Sequence, residues 1–244
     1  MISFSKLGEY GRLGNQMFQI AATISHSIKM KEDFSIKWEY EQYFETNFNY
    51  KNHNITSIYQ EPNFHYNEIC RKNVDLRGYF QSEKYFIQNE DKIREIFTPK
   101  KNIIDKLQYK YSNLLKNSVS LHIRRTDYLE KSHYHPIQSQ KYYSDALNYI
   151  KSKKNIENVL VFSDDIDWCQ SNMSPEYNYI FNSEIDDLFL MSLCENNIIA
   201  NSSFSWWGSW LNRNNNKIVV APKKWFGVTY INTSDLYSKE MIIL

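Results

Sequence analysis

Hydrophobic positions along the chain alternate between strand-like and helix-like spacing. Residues 2–7 predict a short strand, and the glycine-containing residues 8–14 predict a loop that allows close approach of the backbone. Apolar side chains then recur at helical spacing over residues 15–30, at Met17, Ala21, Ile24 and Ile28. The chain therefore opens with a strand, a glycine loop and a helix.

Strands and helices continue to alternate after an irregular region. Residues 37–73 mix aromatic and polar side chains without a sustained period, so we expect irregular structure with short strands there. The later pattern predicts strands at 74–80, 119–123, 159–162, 179–181, 198–200 and 218–221, and helices at 83–97, 102–115, 139–153, 185–196 and from about Ser203. This alternation indicates a parallel, doubly wound sheet, in which ligands collect at the carboxyl ends of the strands.

One predicted strand carries polar side chains on one of its two faces. Apolar and polar residues alternate through residues 119–124 (VSLHIR). Because side chains alternate across a strand, His122 and Arg124 are expected to point the same way. Three polar segments directly follow predicted strands, namely Arg124–Asp127, Ser163–Asp165 and Asn201–Ser203. We expect all three at the ligand-binding edge of the sheet.

Charge and cysteine content narrow the possible classes of function. The 244 residues include 29 Lys and Arg against 28 Asp and Glu, a net charge of +1, so no overall field directs the protein to nucleic acid. The 3 cysteines form no CxxC pair, which argues against a disulfide framework and favours a reducing setting. Without a signal peptide or an apolar run of about 20 residues, we expect a cytoplasmic protein that at most binds the inner face of a membrane peripherally.

The segment His122–Asp127 (HIRRTD) offers guanidinium groups for binding phosphate. Transfer of a sugar from a nucleoside diphosphate builds negative charge on the diphosphate, which a metal ion or an arginine must neutralise. A guanidinium matches phosphate oxygens bidentately. Asp127 is close enough in sequence to orient an arginine or to accept a proton. The alternative interpretation is a surface arginine pair that forms a salt bridge with Asp127.

Two helix starts are further candidates for anion binding. Gly11–Gln16 follows a strand and opens a helix, although it matches neither GxGxxG nor the P-loop, and an ordinary helix start explains its glycines equally well. Asn201–Trp207 follows a buried strand and places Ser202 and Ser203 where they could bind a phosphate or simply cap the helix. We assign the adjacent tryptophans to the core.

Two other polar clusters leave their roles open. Ser163–Asp165 could bind a ribose or a guanine edge, ligate a divalent metal, or cap the following helix. His133 and His135 lie in a predicted loop, and since no third ligand is evident we interpret them as surface or acceptor-side residues.

Five motifs occur together in the order found in one enzyme family. They are GRLGNQMFQIA (Gly11–Ala21), RGYFQSEKYF (Arg77–Phe86), SLHIRRTDY (Ser120–Tyr128), VFSDDIDWC (Val161–Cys169) and IIANSSFSWWGSWLN (Ile198–Asn212). On these motifs the sequence resembles the α-1,2-fucosyltransferases of glycosyltransferase family 11. It is more distantly similar to the protein O-fucosyltransferases, which share the GRxGNQ, HxR and SSF elements. Apart from residues 37–73, the resemblance covers nearly the whole chain.

The resemblance implies an α/β fold of the GT-B type, with two Rossmann-type halves and mostly parallel sheets. We place an acceptor-side half at residues 1–116 and a GDP-fucose-binding half at residues 117–244. The family also implies inversion at the anomeric carbon and no required metal or cofactor, with GDP-fucose as the donor substrate.

The resemblance also assigns individual residues to the site. The donor-binding set is Arg12, Leu13, His122, Arg124, Arg125, Asp164, Asn201, Ser202, Ser203 and Phe204, with Asp164 near the nucleoside. The catalytic set is Asp127, Arg124 and Asn15, and Asp127 either deprotonates the acceptor hydroxyl or locks the arginines in place. Thr126 departs from the family pattern, which usually has glycine at this position.

These inferences predict an inverting fucosyltransferase. It would move L-fucose from GDP-β-L-fucose to the 2-hydroxyl of a terminal galactose in an oligosaccharide or a lipid-linked glycan. The alternatives are a fucosyltransferase of another linkage or acceptor, an inactive nucleotide-sugar or glycan-binding protein, and a metal-dependent transferase that uses Asp164 and Asp165.

Overall fold

The computed structural model describes residues 1–48, 50, 55 and 57–244. Contacts between Cα atoms divide the chain into two compact units. The first unit comprises Met1–Lys100 with Ile231–Ser238, and the second comprises Lys101–Tyr230 with Lys239–Leu244. The division falls at Lys100; the functional assignment of residues 1–116 and 117–244 to acceptor and donor sides remains a prediction.

A parallel sheet lies at the centre of the first unit. Its strands are β1 (Ile2–Ser3), β2 (Phe34–Ser35), β3 (Ser57–Gln60) and β4 (Val74–Arg77). They are ordered β2-β1-β4-β3, and each neighbouring pair is parallel. Ile2 is paired with Phe34 on one side and with Val74 on the other, so β1 is an inner strand.

Helix α1 (Leu13–Met30) follows β1 and packs against it. Met17, Ala21 and Ile24 of the predicted apolar stripe are almost completely buried, whereas Ile28 near the end of the helix is 44% exposed. The helix ends where Lys31 adopts a left-handed conformation with φ of 55° and donates its backbone N–H to carbonyls of the last turn. A shorter helix, α2 (Glu90–Ile96), follows later in this unit.

The second unit is built on a longer parallel sheet. Its strands are β5 (Ser118–Ile123), β6 (Asn158–Ser163), β7 (Asn178–Tyr179), β8 (Asn196–Ile198), β9 (Val219–Ala221) and β10 (Met241–Ile243). The order is β10-β9-β8-β5-β6-β7, with every neighbouring pair parallel. Its helices are α3 (Lys101–Leu115), α4 (Thr126–Glu130), α5 (Gln140–Lys151), α6 (Ile166–Asn172), α7 (Glu184–Leu193) and α8 (Ser203–Leu211).

The strand order of the second unit reverses direction at β5. From β5 the chain adds β6 and β7 on one side, and then returns through α7 to place β8 on the other side. In open parallel sheets such a reversal opens a crevice at the carboxyl ends of the two diverging strands. The crevice of this unit therefore lies beyond Ile123 and Ile198.

Buried side chains cover both faces of β5. Val119, Leu121 and Ile123 contact an apolar cluster that includes Leu147 and Ile150 of α5. The polar side chains of the other face, which include Ser120 and His122, are buried too. The hydroxyl of Ser120, for example, accepts a hydrogen bond from the amide of Asn197 at 2.8 Å. The alternation in this strand thus separates two buried faces.

Most of the sequence-predicted elements are present, with shifted boundaries. The helix predicted at 83–97 is divided into 3-10 turns, Glu83–Tyr85 and Ile87–Asn89, followed by α2. The strand predicted at 74–80 ends at Arg77, because Gly78 and Phe80 have positive φ angles of 145° and 52°. β10 was not predicted. Within the region 37–73, residues 49, 51–54 and 56 lie outside the described residues.

The helices in the described part of the chain include none with the length and apolar character needed to cross a membrane.

The predicted tryptophan core is confirmed, since Trp206 and Trp207 are fully buried and Trp210 nearly so.

Candidate active site

Three polar segments come together at the carboxyl edge of the second sheet. They follow β5, β6 and β8, which are adjacent and parallel, so their ends meet at one edge. The prediction that Arg124–Asp127, Ser163–Asp165 and Asn201–Ser203 share an edge is therefore confirmed. The contacts among them define how each side chain is held.

His122 lies at the end of β5 with its ring inside the protein. It is 4% exposed, and its Nδ1 atom has no hydrogen-bond partner among the described residues. Burial, and next the positive charge of Arg124, lower the pKa of His122 to about 3. The imidazole is therefore neutral at physiological pH. A neutral ring with an unpaired buried nitrogen is suited to hydrogen bonding with a ligand group.

The Arg124 guanidinium is held between two carboxylates. Its Nη2 lies 2.8 Å from Oδ1 of Asp127, and its Nη1 lies 3.3 Å from Oδ2 of Asp164. Burial alone would lower the pKa of Arg124, but the contact with Asp127 and the charge of Asp164 outweigh burial and raise it. The Cζ atom also lies 5.7 Å from the centre of the Tyr128 ring. The side chain is thus a fixed cation at the β5 end of the crevice.

Asp164 holds the backbone of the arginine segment. Its carboxylate accepts the backbone N–H groups of Arg125 at 2.9 Å and of Thr126 at 3.1 Å, together with the Thr126 hydroxyl. Both N–H groups lie at the start of α4, where they have no partner within the helix. Asp164, at the end of the neighbouring strand β6, therefore caps that short helix. The Thr126 hydroxyl, where the family pattern has glycine, adds a bond to this cap.

Arg125 is held away from its neighbour Arg124 by other partners. Its Nε donates to Asp165 at 2.9 Å, and its Cζ lies 3.6 Å from the centre of the Trp168 ring. Asp165 consequently pairs with an arginine and does not cap α6 with its side chain. These contacts give Arg125 a structural role, and donor binding by its side chain remains a prediction.

The N-terminus of α8 faces the crevice from the β8 side. Ser202 is its N-cap, and the Ser202 hydroxyl accepts the backbone N–H of Phe204 at 3.3 Å. The Phe204 ring lies 5.6 Å from the His122 ring, which brings the start of α8 next to β5. The Asn201 side chain instead donates to the carbonyls of Pro136 and Trp225, so it fixes loops.

Tyr128 is a site residue to which the sequence analysis assigned no role. Its hydroxyl donates to the carbonyl of Asn201 at 2.9 Å, which joins α4 to the end of β8. The His135 ring stacks on Tyr128 at 4.7 Å with an interplanar angle of 16°. Burial raises the pKa of Tyr128 and is the main cause that lowers the pKa of His135. The Asp-Tyr pair at the end of the SLHIRRTDY motif was the signal for Tyr128 in the sequence, but it does not reveal the contact with Asn201, which is remote in sequence.

The glycine loop of the first unit has a defined geometry. Gly11 has φ of 117°, and a Cβ atom built there would lie 2.1 Å from Nδ2 of Asn15. Asn15 donates to the carbonyl of Tyr10 at 2.9 Å and accepts from Gln81 at 2.7 Å. Glycine at 11 and asparagine at 15 are thus required for the loop itself. The catalytic assignment of Asn15 remains a prediction.

Two other residues assigned to the donor lie at the start of α1. Arg12 is exposed at the N-cap position. Leu13 is fully buried. Arg12 and Leu13 belong to the first unit, and their predicted contact with the donor stays a prediction.

The RGYF motif of the first unit is explained by the partly buried carboxylate of Glu61. Glu61 accepts the backbone N–H of Tyr79 at 2.6 Å and of Phe80 at about 3.0 Å. Burial is the main cause that raises the pKa of Glu61 to about 7. A Cβ atom at position 78 would lie 2.4 Å from Glu61, so glycine is needed there.

A cavity of about 570 Å³ opens within the first unit near the carboxyl ends of β1 and β2. Its lining includes Ser35, Lys37, Trp38, Glu39 and Tyr50. Trp38 donates its indole N–H to Gln16 in the first turn of α1 at 3.0 Å, so the start of α1 and the cavity wall are connected. The exposed ring of Tyr50 beside the exposed side chains of Lys37 and Glu39 can accommodate a sugar.

No group of three or more His, Cys, Asp or Glu side chains within the described residues is arranged to hold a metal ion. Asp164 and Asp165, the predicted alternative ligands, each contact an arginine. Independence from metal remains a prediction.

Solved structures share this architecture. The fucosyltransferase NodZ from Bradyrhizobium superposes with a TM-score of 0.53 over 85% of this chain and 91% of its own, at 13% identity. POFUT1 in complex with GDP superposes with a TM-score of 0.57 over 88% of this chain and 95% of its own, at 11% identity. The fold is that of GT-B fucosyltransferases, as predicted from the motifs.

Sequence comparison gives the family. The profile of glycosyl transferase family 11 matches residues 3–244, and the chain belongs to this family. An α-1,2-colitosyltransferase from Escherichia coli is 34% identical over 69% of this chain. The O-antigen biosynthesis glycosyltransferase WbnK from Escherichia coli is 38% identical over 62% of this chain. The matches span 62% and 55% of the length of these two relatives.

Proposed function

We propose that the chain transfers L-fucose from GDP-β-L-fucose to the 2-hydroxyl of a terminal galactose, with inversion at the anomeric carbon. The acceptor would be an oligosaccharide or a lipid-linked glycan, and a lipid-linked acceptor would bring the protein to the inner face of a membrane. The family and the fold support a sugar transferase; the donor, the linkage and the acceptor are the proposed parts.

The observation that carries the proposal is the crevice beside β5. It combines the guanidinium of Arg124, the unpaired Nδ1 of the neutral His122 and the N-terminus of α8. A guanidinium and the backbone N–H groups of a helix start are both suited to phosphate oxygens. His122 adds a directed hydrogen-bonding group without adding a charge.

The chemistry follows from where charge develops. As the anomeric C–O bond breaks, the bonding electron pair passes to the diphosphate, and the cation of Arg124 stabilises the charge that accumulates there. The acceptor hydroxyl loses its proton as its oxygen bonds to the anomeric carbon from the opposite face. Asp127, 43% exposed and next to Arg124, is the proposed proton acceptor.

We place the acceptor in the first unit. The cavity near β1 and β2 supports this assignment, because Tyr50 offers exposed aromatic surface while Lys37 and Glu39 offer polar groups. The donor belongs to the second unit in this proposal.

A second donor is favoured by a specific relative. The match to an α-1,2-colitosyltransferase favours colitose, which is fucose without its 3-hydroxyl, as the alternative sugar. The two donors share the nucleotide, so the crevice beside β5 serves both equally.

A donor and acceptor screen tests the proposal. The protein is incubated with GDP-fucose, GDP-colitose or GDP-mannose and a galactose-terminated acceptor such as lactose, with and without EDTA, and the linkage of any product is determined by NMR. Fucose on the 2-hydroxyl of galactose, unaffected by EDTA, is the expected result. Product only from GDP-colitose would change the donor, and GDP binding without any product would indicate an inactive binding protein. Activity that EDTA abolishes and manganese restores would indicate a metal-dependent transferase.

A further inference from the structure

The two carboxylates that contact Arg124 are held very differently. Asp164 accepts two backbone N–H groups and the Thr126 hydroxyl in addition to contacting Arg124, and its side chain is 17% exposed. Asp127 is 43% exposed, and within the described residues its side chain contacts one cation, Arg124. The Oδ1 atom of Asp127 is 2.8 Å from Nη2 but has no aligned hydrogen-bond donor. Asp127 is therefore the more easily displaced of the two.

The net charge of the side chains around Arg124 disfavours binding of a diphosphate in the observed arrangement. Two guanidinium groups face three carboxylates, those of Asp127, Asp164 and Asp165, while His122 is neutral. One negative charge remains. A diphosphate carries two or more negative charges and would meet like charge next to the cation that should bind it.

The contacts indicate which group can relieve this repulsion. Moving Asp164 would leave the N–H groups of Arg125 and Thr126 unpaired. Arg125 and Asp165 are held together beside Trp168, so Arg125 is occupied. Asp127 can rotate toward solvent at a lower cost than Asp164, because its contact with Arg124 is the one ion pair it breaks and it caps no backbone N–H group among the described residues.

We propose that Asp127 occupies the diphosphate-binding face of Arg124 in the donor-free protein and that the donor displaces it. The inference rests on the proposed nucleotide-sugar donor. In this exchange the diphosphate replaces the Asp127 carboxylate at Nη2 of Arg124. Asp127 then becomes available to the acceptor hydroxyl only after the donor has bound. Asp127 is thus a positioning residue in the empty protein and links the two substrates in order.

Titration calorimetry with GDP tests the exchange. Removing the competing charge in Asp127→Asn should tighten GDP binding about two- to five-fold, because the donor no longer has to break an ion pair to reach Arg124. Guanosine, which lacks the diphosphate, should bind wild type and Asp127→Asn equally. Asp167→Asn is the matched control, because it removes a charge from an exposed site on α6 and should leave GDP affinity unchanged. Asp127→Ser provides a second variant without the charge.

Steady-state kinetics give an independent result. Asp127→Asn should lower the KM for the donor while also lowering kcat, a combination that mere loosening of the fold does not produce. GDP affinity equal to or weaker than wild type in both Asp127 variants would overturn the exchange while leaving the donor assignment intact. Absence of GDP binding by the wild-type protein would instead remove the proposed function, and the exchange with it.

Discussion

Oδ1 of Asp164 accepts the backbone N–H of Arg125 at 2.9 Å, so the end of β6 fixes the chain that follows β5. The same carboxylate binds Thr126 through both its N–H and its hydroxyl. The conformation of the arginine segment therefore depends on a side chain about forty positions away in sequence. The hydrogen bonds of Asp164 therefore help to orient Arg124, in addition to the strand that Arg124 follows.

Asp164→Asn should disorder the arginine segment. The amide NH₂ group would face N–H donors where a carboxylate oxygen now accepts them, and we expect a loss of about 1–3 kcal/mol in the free energy of unfolding. GDP affinity should fall as well, because Arg124 loses its orientation. Urea denaturation and calorimetry measure the two effects. Unchanged stability and GDP affinity in this variant would show that the cap is dispensable.

Arg124→Lys should be severe although charge is conserved. A lysine presents a point charge where the guanidinium presents two oriented donors, and we expect kcat/KM to fall by about 30- to 1,000-fold, or about 2–4 kcal/mol. Arg125→Lys is the comparison, because Arg125 binds Asp165 and Trp168. Arg125→Lys should lower the free energy of unfolding, while its kcat/KM should fall much less than that of Arg124→Lys. Equal loss of activity in both variants would return Arg125 to the donor site.

Gly11→Ala should damage the glycine loop of the first unit. The left-handed φ of 117° and the approach of 2.1 Å to Asn15 both oppose a Cβ atom. We expect a loss of about 1–3 kcal/mol of stability by thermal or urea unfolding. Gly8→Ala is the matched control, since φ there is 93° but a Cβ atom would be 3.7 Å from Gln16. A loss in Gly8→Ala as large as in Gly11→Ala would rule out the clash as the cause.

His122 should make stability depend on pH. Its pKa is lowered from 6.5 to about 3, first by burial. Unfolding therefore takes up a proton between these values, and the free energy of unfolding should fall as pH drops below about 6.5, by up to about 1.4 kcal/mol per pH unit. His122→Phe keeps a ring but cannot titrate, so its stability should fall less between pH 7 and pH 5.

Urea unfolding of both proteins at several pH values measures this difference. Glu61 and Asp187, whose pKa values are raised to about 7, titrate in both proteins and cancel in the comparison. Parallel pH profiles would mean that His122 is not kept neutral by the fold.

The fold was predictable where the signal is local. The apolar spacing of α1 and the alternation in β5 each lie within one element, and the structure places both elements as the pattern indicates. The tryptophans at 206, 207 and 210 share a helix and are buried together. Parallel pairing of adjacent strands then brings the polar strand ends to one edge.

Contacts between distant residues could not be predicted in the same way. Nothing near Asp164 in sequence indicates that it caps Arg125, and Ser163–Asp165 suited three different roles. Tyr128 contacts Asn201, and β10 pairs with β9, only because the sheet brings them together. Asn196 was predicted as the end of a helix, yet it lies in β8 together with Asn197, and both side chains form buried hydrogen bonds there.

The central claim is that Arg124 binds the diphosphate of the donor. Its most direct test is calorimetric titration of wild type and Arg124→Lys with GDP and with guanosine. The wild-type protein should bind GDP far more tightly than guanosine, and Arg124→Lys should lose most of that difference while binding guanosine as before. If Arg124→Lys retained the full preference for GDP over guanosine, the diphosphate would not be bound at Arg124.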